Sequence, residues 1–119
     1  MKKNYIIKVD KDELKAFNEI FKDHNLIHSK STLVDDRPIV YGSYMVSKIN
    51  AFLGNSPEHP LTLIRSSKSS FLSPIYCEDI VAVDIGYELI SQGVYRVLIH
   101  CRVEDRLVMI CNYLIKTHE

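Results

Sequence analysis

The fold is decided by residues 81–115, which read VAVDIGYELISQGVYRVLIHCRVEDRLVMICNYLI. Apolar and polar residues alternate through most of this stretch, and a period of two indicates strands with one buried face. The alternation is interrupted at Ser91-Gln92-Gly93 and again at Glu104-Asp105. Both interruptions are short enough to be tight turns, so the stretch predicts three antiparallel strands, each paired with the next.

Two other stretches extend the predicted sheet. Residues 5–9 are apolar and partly β-branched, which predicts a first strand. A weaker strand is predicted between Leu61 and Leu72, although it contains the polar run Ser66-Ser67-Lys68-Ser69-Ser70. A polar strand is favoured for this run because strong strands follow it, while a serine-rich linker is the alternative.

Two helices are predicted before these strands. The segment Asp10-Lys11-Asp12-Glu13 resembles a capping box, in which Glu13 reaches back to the cap, and it predicts a helix from about Lys11 to Lys22. A second helix begins near Gly42 and is ended by Gly54-Asn55-Ser56-Pro57. Because it is apolar over much of its circumference, we expect it to be largely buried. The pattern predicts one α+β domain over residues 1–119.

The composition is that of an ordinary globular domain, with 46% hydrophobic and 25% charged residues in 119. Fifteen basic and fifteen acidic residues give a formal net charge of zero. We therefore expect neither nucleic-acid binding nor attraction to anionic membranes. No apolar run approaches the roughly 18 residues of a membrane span. These features predict a soluble protein of the cytoplasm.

The three cysteines, Cys77, Cys101 and Cys111, argue against a metal or disulfide framework. Their spacings match no zinc motif, and an odd count in a short chain disfavours a disulfide scaffold. The five histidines likewise form no ligand pattern with carboxylates. We expect Cys101 and Cys111 to face the core as small apolar residues. His59 is predicted in an exposed turn.

Residues 23–28 read DHNLIH and concentrate one acid, one amide and two imidazoles. A carboxylate and an imidazole that converge on one water can activate it and then return a proton to the neighbouring carbon. Histidine suits this role because its free pKa lies near working pH. Residues 23–28 are therefore a candidate catalytic segment. The alternative is an ordinary polar loop in which Asp23 only ends the preceding helix.

Residues 37–43 read RPIVYGS and lead into the second helix. Gly42 and Ser43 in its first turn would leave backbone N–H groups without intrahelical acceptors. A helix N-terminus favours developing negative charge, such as that of an enolate oxygen, and glycine allows close approach of a ligand. Gly42, Ser43 and Tyr41 are therefore candidate substrate-binding residues. The alternative is a helix that needs a small residue where it crosses the sheet.

Together with residues 71–81, FLSPIYCEDIV, these segments resemble the MaoC-like, (R)-specific enoyl-CoA hydratase family of the hotdog fold. That family carries the motif D-x-N-P-[IL]-H, then P-I-[AV]-H-G, and later F-x-x-P-V-x-x-G-D. The matching residues in this sequence are Asp23, Asn25 and His28, then Pro38, Ile39, Val40 and Gly42, and finally Phe71, Pro74 and Asp79. The resemblance extends from about Asp10 to Ile115.

The resemblance implies an antiparallel β-sheet wrapped around a central α-helix, usually paired as a homodimer. It implies reversible hydration of a trans-2-enoyl thioester of coenzyme A or acyl carrier protein, giving the (R)-3-hydroxyacyl thioester without a cofactor. Under this resemblance Asp23 and His28 hold and activate the water, and Asn25 supports the loop around them. The N–H group of Gly42 polarises the thioester carbonyl.

The sequence departs from the family pattern at Leu26, Tyr41 and Glu78, which stand where the family has proline, histidine and glycine. Lys48 lies within an otherwise apolar helix, so it must reach an edge or find a partner. Two other functions stay open. One is a hotdog thioesterase, which would direct its water at the carbonyl carbon. The other is a non-catalytic acyl-thioester-binding protein.

Overall fold

The computed structural model describes residues 2–22, 39–59 and 61–118. Within these ranges the chain forms five strands and two helices. In chain order they are β1 (Lys2–Lys8), α1 (Lys11–Phe21), α2 (Gly42–Gly54), β2 (Leu61–Phe71), β3 (Ile80–Ser91), β4 (Val94–Val103) and β5 (Arg106–His118). Every element expected from the sequence is present. Neither helix in the described ranges is long and apolar enough to cross a membrane.

All five strands form one antiparallel sheet in the order β1-β3-β4-β5-β2. The turn between β3 and β4 places Gly93 at φ 71°, a left-handed conformation that glycine adopts without strain. β1 and β2 form the two edges of the sheet. β2 pairs with β5 over its whole length, with a register shift between Ile64 and Ser66. The serine run therefore lies within a strand, and the linker alternative is wrong.

The core lies between α2 and the inner face of the sheet. The buried side chains of α2 are Tyr44, Met45, Ile49 and Leu53. They share one cluster with alternating strand residues, namely Val81, Val83 and Ile85 on β3, Val97, Ile99 and Cys101 on β4, and Met109, Cys111, Tyr113 and Ile115 on β5. An antiparallel sheet wrapped around one central helix is the hotdog fold. The expected α+β hotdog architecture is confirmed.

Two side-chain contacts fix the position of α2 along its length. The hydroxyl of Tyr113 on β5 donates a hydrogen bond of 2.6 Å to Oδ1 of Asn50. Burial raises the pKa of Tyr113 to about 12, so the hydroxyl keeps its proton at neutral pH. Tyr5 stacks on Phe52 with ring centroids 4.3 Å apart. These contacts hold one face of α2 toward the sheet and thereby set where its N-terminus lies.

The N-terminus of α1 differs from the expected capping box. Asp10 caps the helix, but its carboxylate accepts from the N–H of Asp12, at 2.8 Å, rather than from Glu13. Glu13 does not reach back, because its carboxylate is bound by two residues of α2 instead. Tertiary contacts thus replace half of a local motif. The helix ends near its expected residue, with Lys22 in a left-handed conformation.

His59 also differs from expectation, because it is buried rather than exposed. Only 5% of the residue is accessible. Its ring lies 5.0 Å from that of Tyr95 and 5.7 Å from that of Tyr87. The surrounding turn is fixed by the hydroxyl of Thr62, which donates to the carbonyl of His59 at 2.9 Å. His59 therefore packs against aromatic rings of β3 and β4 instead of facing solvent.

Candidate functional site

The N-terminus of α2 is the part of the candidate site that the structure describes. Tyr41 is the N-cap residue, and its carbonyl accepts from the N–H groups of Tyr44 and Met45 at 3.1 and 3.3 Å. The side chain of Tyr41 makes no capping hydrogen bond. The first N–H groups of a helix have no intrahelical acceptor, and no described residue accepts from those of Gly42 or Ser43. This helix end can therefore donate to a ligand oxygen.

An aromatic ring lies directly against Gly42. A Cβ built on this glycine would stand 2.8 Å from Cζ of Phe71 and 3.1 and 3.3 Å from its two Cε atoms. Real Cβ atoms do not approach other atoms that closely, so the ring occupies the space that a larger residue would need. Gly42 therefore has a packing role in addition to its open backbone.

Tyr41 and Ser43 lie on either side of Gly42 but in different surroundings. Tyr41 is 7% exposed, and its ring centroid lies 5.4 Å from that of Phe17 on α1. Ser43 is exposed, and its carbonyl accepts from the hydroxyl of Ser47 at 2.8 Å. Both residues are thus at the helix end that the sequence indicated. Their roles in substrate binding stay predictions.

The predicted catalytic residues Asp23, Asn25 and His28 lie outside the described residues. Lys22, which directly precedes Asp23 in the chain, is described, and its N–H donates to the carbonyl of Asn18 at 2.7 Å. The catalytic roles therefore rest on the sequence motif alone.

The segment before α2 is held by the segment before β3. The N–H of Val40 donates to the carbonyl of Ile75 at 2.8 Å, and Ile39 forms an isolated bridge with Tyr76. The carboxylate of Asp79 accepts from the N–H of Tyr76 at 2.8 Å. The third sequence motif thus has a structural function here, because Asp79 shapes the turn on which the start of α2 is anchored.

Glu78 occupies the position where the family pattern has glycine. Its φ is 72°, a left-handed value that glycine adopts freely and that strains a residue with a Cβ. Its N–H donates to the carbonyl of Val9 at 2.9 Å. The turn therefore has a backbone conformation that glycine would adopt without strain.

A polar cluster that the sequence did not reveal joins the two helices. Glu13 on α1 accepts from the hydroxyl of Tyr44 and from Nζ of Lys48, both at 2.8 Å. We call these three residues the interhelix cluster. The hydrogen bond from Lys48, followed by that from Tyr44, holds the pKa of Glu13 below its usual value. Lys48 was the only residue of this cluster that the sequence analysis singled out, because a lysine within an apolar helix must reach an edge or find a partner.

A groove of about 330 Å³ lies beside the interhelix cluster. Its lining residues are Glu13, Ala16, Phe17, Tyr44, Ser47, Lys48 and Ala51. Desolvation, followed by the hydrogen bond to Glu13, raises the pKa of Tyr44, so this hydroxyl is a donor and not a base at neutral pH. Among the residues that the structure describes, no group of three or more His, Cys, Asp or Glu side chains is arranged to hold a metal ion.

Solved structures with the same fold include hydratases and a dehydratase. An (R)-hydratase from A. caviae involved in PHA biosynthesis aligns with a TM-score of 0.87 at 18% identity, over 99% of this chain and 95% of its own. An unliganded R-hydratase from Pseudomonas aeruginosa aligns with a TM-score of 0.88 at 18% identity, over 100% of this chain and 81% of its own. A 3R-hydroxyacyl-ACP dehydratase complex from Mycobacterium tuberculosis aligns with a TM-score of 0.73 at 13% identity, over 97% of this chain and 94% of its own.

These alignments establish the fold, which is that of hotdog proteins such as hydratases and dehydratases. The same fold is found in a virulence protein from Campylobacter jejuni, with a TM-score of 0.70 at 12% identity, over 99% of this chain and 70% of its own. No protein-family model matches this sequence, and no curated protein does.

Proposed function

We propose that this chain is a hydro-lyase that interconverts trans-2-enoyl and (R)-3-hydroxyacyl thioesters, carried by coenzyme A or acyl carrier protein. The observation that carries the proposal is the N-terminus of α2. There, a glycine presents an N–H group that no described residue accepts, next to an apolar ring. The sequence also supplies the D-x-N-x-x-H motif between α1 and α2. Carbonyl polarisation and water activation are the two requirements of this reaction.

In the hydration direction, Asp23 and His28 position a water molecule and remove its proton as oxygen bonds to C3 of the substrate. The electron pair of the C2–C3 double bond moves toward the thioester carbonyl, giving an enolate. The N–H of Gly42 and the positive end of α2 stabilise the enolate oxygen. Return of a proton to C2 completes addition of one water, so the reaction requires no cofactor. Asn25 supports the segment that carries the acid and the imidazole.

We further propose that the working form is a homodimer joined through the outer edge of β2. β1 has lysine at three of its seven positions, and edge lysines oppose pairing with another strand. β2 is eleven residues long and carries only Arg65 and Lys68 as charged residues. Leu61 and Leu63 on β2 are 63% and 57% exposed. A long edge with few charges and exposed apolar residues favours pairing with a second copy.

The hydratase proposal is tested by the loss of ultraviolet absorbance of crotonyl-CoA as its conjugated double bond is hydrated. We expect turnover by the wild-type protein and a loss of about 10²–10⁴-fold in both Asp23→Asn and His28→Ala, since each removes one acid–base group. His24→Ala is the matched control, because it removes a histidine of the same segment that has no proposed role. Chiral analysis of the product should give the (R) alcohol.

Three outcomes would contradict this proposal. Release of free thiol without hydration would identify a thioesterase. Binding of enoyl thioesters of both carriers without turnover would identify a non-catalytic binding protein. Full activity in folded Asp23→Asn and His28→Ala variants would show that the chemistry lies elsewhere.

A further inference from the structure

The ring of Phe71 has an environment that its position in the sheet does not explain. Phe71 is the last residue of β2 and pairs in register with Met109 of β5, which is completely buried. Phe71 itself is 50% exposed. A ring that contacts α2 on one side and is open on the other forms a wall rather than part of the core.

This wall lies beside the helix end that presents the Gly42 amide. The ring tip is 2.8 Å from the position of a Cβ on Gly42. Because the nitrogen and Cβ of one residue are about 2.5 Å apart, Cζ of Phe71 is within roughly 5 Å of the Gly42 nitrogen. An oxygen that accepts from this nitrogen lies about 2.9 Å away from it. A carbonyl bound there is therefore a near neighbour of the ring.

The atoms bonded to a thioester carbonyl are the sulfur and C2. The sulfur side is the same pantetheine arm in every substrate of this class, whereas C2 can carry one or more substituents. A rigid aromatic wall next to the carbonyl limits the space for such substituents. Bulk at C2 is consequently the substrate property that the ring can discriminate.

We propose that Phe71 is a specificity-determining residue that excludes thioesters branched at C2. This assignment rests on the proposed function, since it requires the thioester carbonyl to bind at Gly42. In the wild-type protein the ring leaves room for an unbranched enoyl group. Removal of the ring opens space next to C2 and admits a methyl branch there.

The test compares crotonyl-CoA with its 2-methyl derivative, tiglyl-CoA, in the wild type and in Phe71→Ala. We expect the ratio of kcat/KM for tiglyl-CoA to that for crotonyl-CoA to rise at least about tenfold in Phe71→Ala, the usual size of discrimination by one methyl group. Leu72→Ala is the matched control, because Leu72 is a neighbouring apolar residue that is 54% exposed. Its ratio should equal that of the wild type.

A second measurement separates the failure of this inference from the failure of the proposed function. The Kd values of both thioesters are measured by calorimetry with Asp23→Asn, which the proposed mechanism leaves able to bind but not to hydrate. The ratio of the Kd for tiglyl-CoA to the Kd for crotonyl-CoA is then compared between Asp23→Asn and Asp23→Asn/Phe71→Ala. If crotonyl-CoA binds and the ratio is unchanged on removal of the ring, the role of Phe71 is refuted while thioester binding stands. If neither thioester binds, both proposals are refuted.

The contact itself is tested independently of any ligand. Gly42→Ala should lower the midpoint of chemical unfolding more in the wild-type background than in the Phe71→Ala background, because the added Cβ meets the ring only in the first. Equal shifts in the two backgrounds would show that the ring does not lie against Gly42. The wall assignment would then be wrong whatever the protein catalyses.

Discussion

Glu78 illustrates how a single backbone angle can constrain a residue type. Its φ of 72° places the Cβ close to a neighbouring carbonyl oxygen, which for residues other than glycine costs about 1–2 kcal/mol. The surrounding hydrogen bonds, from Glu78 to Val9 and from Tyr76 to Asp79, maintain the angle despite this cost. The strain is stored in the turn on which the start of α2 is anchored.

Replacing Glu78 with glycine should therefore stabilise the protein. We expect the free energy of unfolding to rise by about 1 kcal/mol. The strain energy removed from the folded state exceeds the stability lost because glycine gives the unfolded chain more conformational freedom. Urea denaturation at neutral pH measures this. Glu19→Gly, at an exposed position within α1, is the control and should lose about 1 kcal/mol. A loss of stability in Glu78→Gly would show that the left-handed conformation is not strained.

Sequence patterns predict residues well where local chemistry decides their position. Cys101 and Cys111 are fully buried as expected, because alternation along a strand fixes which face each side chain occupies. His59 was wrongly predicted, since its burial depends on Tyr87 and Tyr95, which are distant in sequence. The contact between Gly42 and Phe71 is of the same kind. A sequence pattern indicates which face of a helix or strand is buried, but not which distant residue packs against that face.

Among the elements, α1 is the one most weakly held by its own packing. None of its side chains is fully buried, and Ile20 and Phe21 are 72% and 64% exposed. Its attachment to α2 relies on the ring of Phe17 and on the interhelix cluster of Glu13, Tyr44 and Lys48. This attachment matters because α1 directly precedes the segment with the predicted catalytic residues.

The interhelix cluster predicts a specific dependence of stability on pH. The pKa of Glu13 is lowered in the folded protein by Lys48 and Tyr44, so its contribution is fully present above the usual carboxyl pKa, which is 4.5 for this side chain. That contribution is lost as the pH falls below 4.5 and through the lowered value. Protonation removes the charge that both partners bind.

We expect Glu13→Gln to be less stable than the wild type by roughly 0.5 kcal/mol at pH 7, since the ion pair is partly exposed. The difference should shrink toward zero as the pH falls below 4.5 and through the lowered pKa of Glu13, because the carboxylate then takes up its proton. Urea denaturation at several pH values measures both proteins. Glu19→Gln, on an exposed part of the same helix, should show no such convergence. A difference that is constant with pH would contradict the role of the cluster.

The helices and strands were largely predictable, because the two-residue alternation of the strands and the helical spacing of apolar residues are both strong. The alternation over residues 81–115 gave three strands and two turns, and the apolar stripe after Gly42 gave the central helix. The polar β2 was harder to predict, since its strand character comes from pairing with β5 rather than from its own serines. The sequence predicted that Lys48 needs a partner but not that the partner is Glu13, because the two residues are 35 positions apart.

At the scale of the whole molecule, the unequal edges of the sheet predict how two copies associate. We expect sedimentation of a species of about 27 kDa at micromolar concentration, twice the 13.7 kDa of one chain. Leu63→Lys, on the outer edge strand β2, should shift the equilibrium toward monomer, because an edge lysine opposes strand pairing.

Ile6→Lys is the matched control for this prediction. Ile6 is 64% exposed and lies on β1, the opposite edge of the sheet. It should leave the sedimentation of the protein unchanged. Dissociation by Ile6→Lys and not by Leu63→Lys would place the interface at β1. A wild-type protein that stays monomeric throughout would refute the dimer.

The pairing of β2 with β5 also bears on the order in which the protein can fold during synthesis. Leu61 pairs with His118, and the two residues are separated by β3 and β4, which are made in between. β2 therefore leaves the ribosome long before the strand that it joins, with an edge and apolar side chains that nothing in the sheet yet covers. Such late, non-local closure is slow and exposes the nascent chain to aggregation. The four serine hydroxyl groups of β2 can hydrogen-bond to water before β5 is made, so we expect them to lower the tendency of this segment to aggregate.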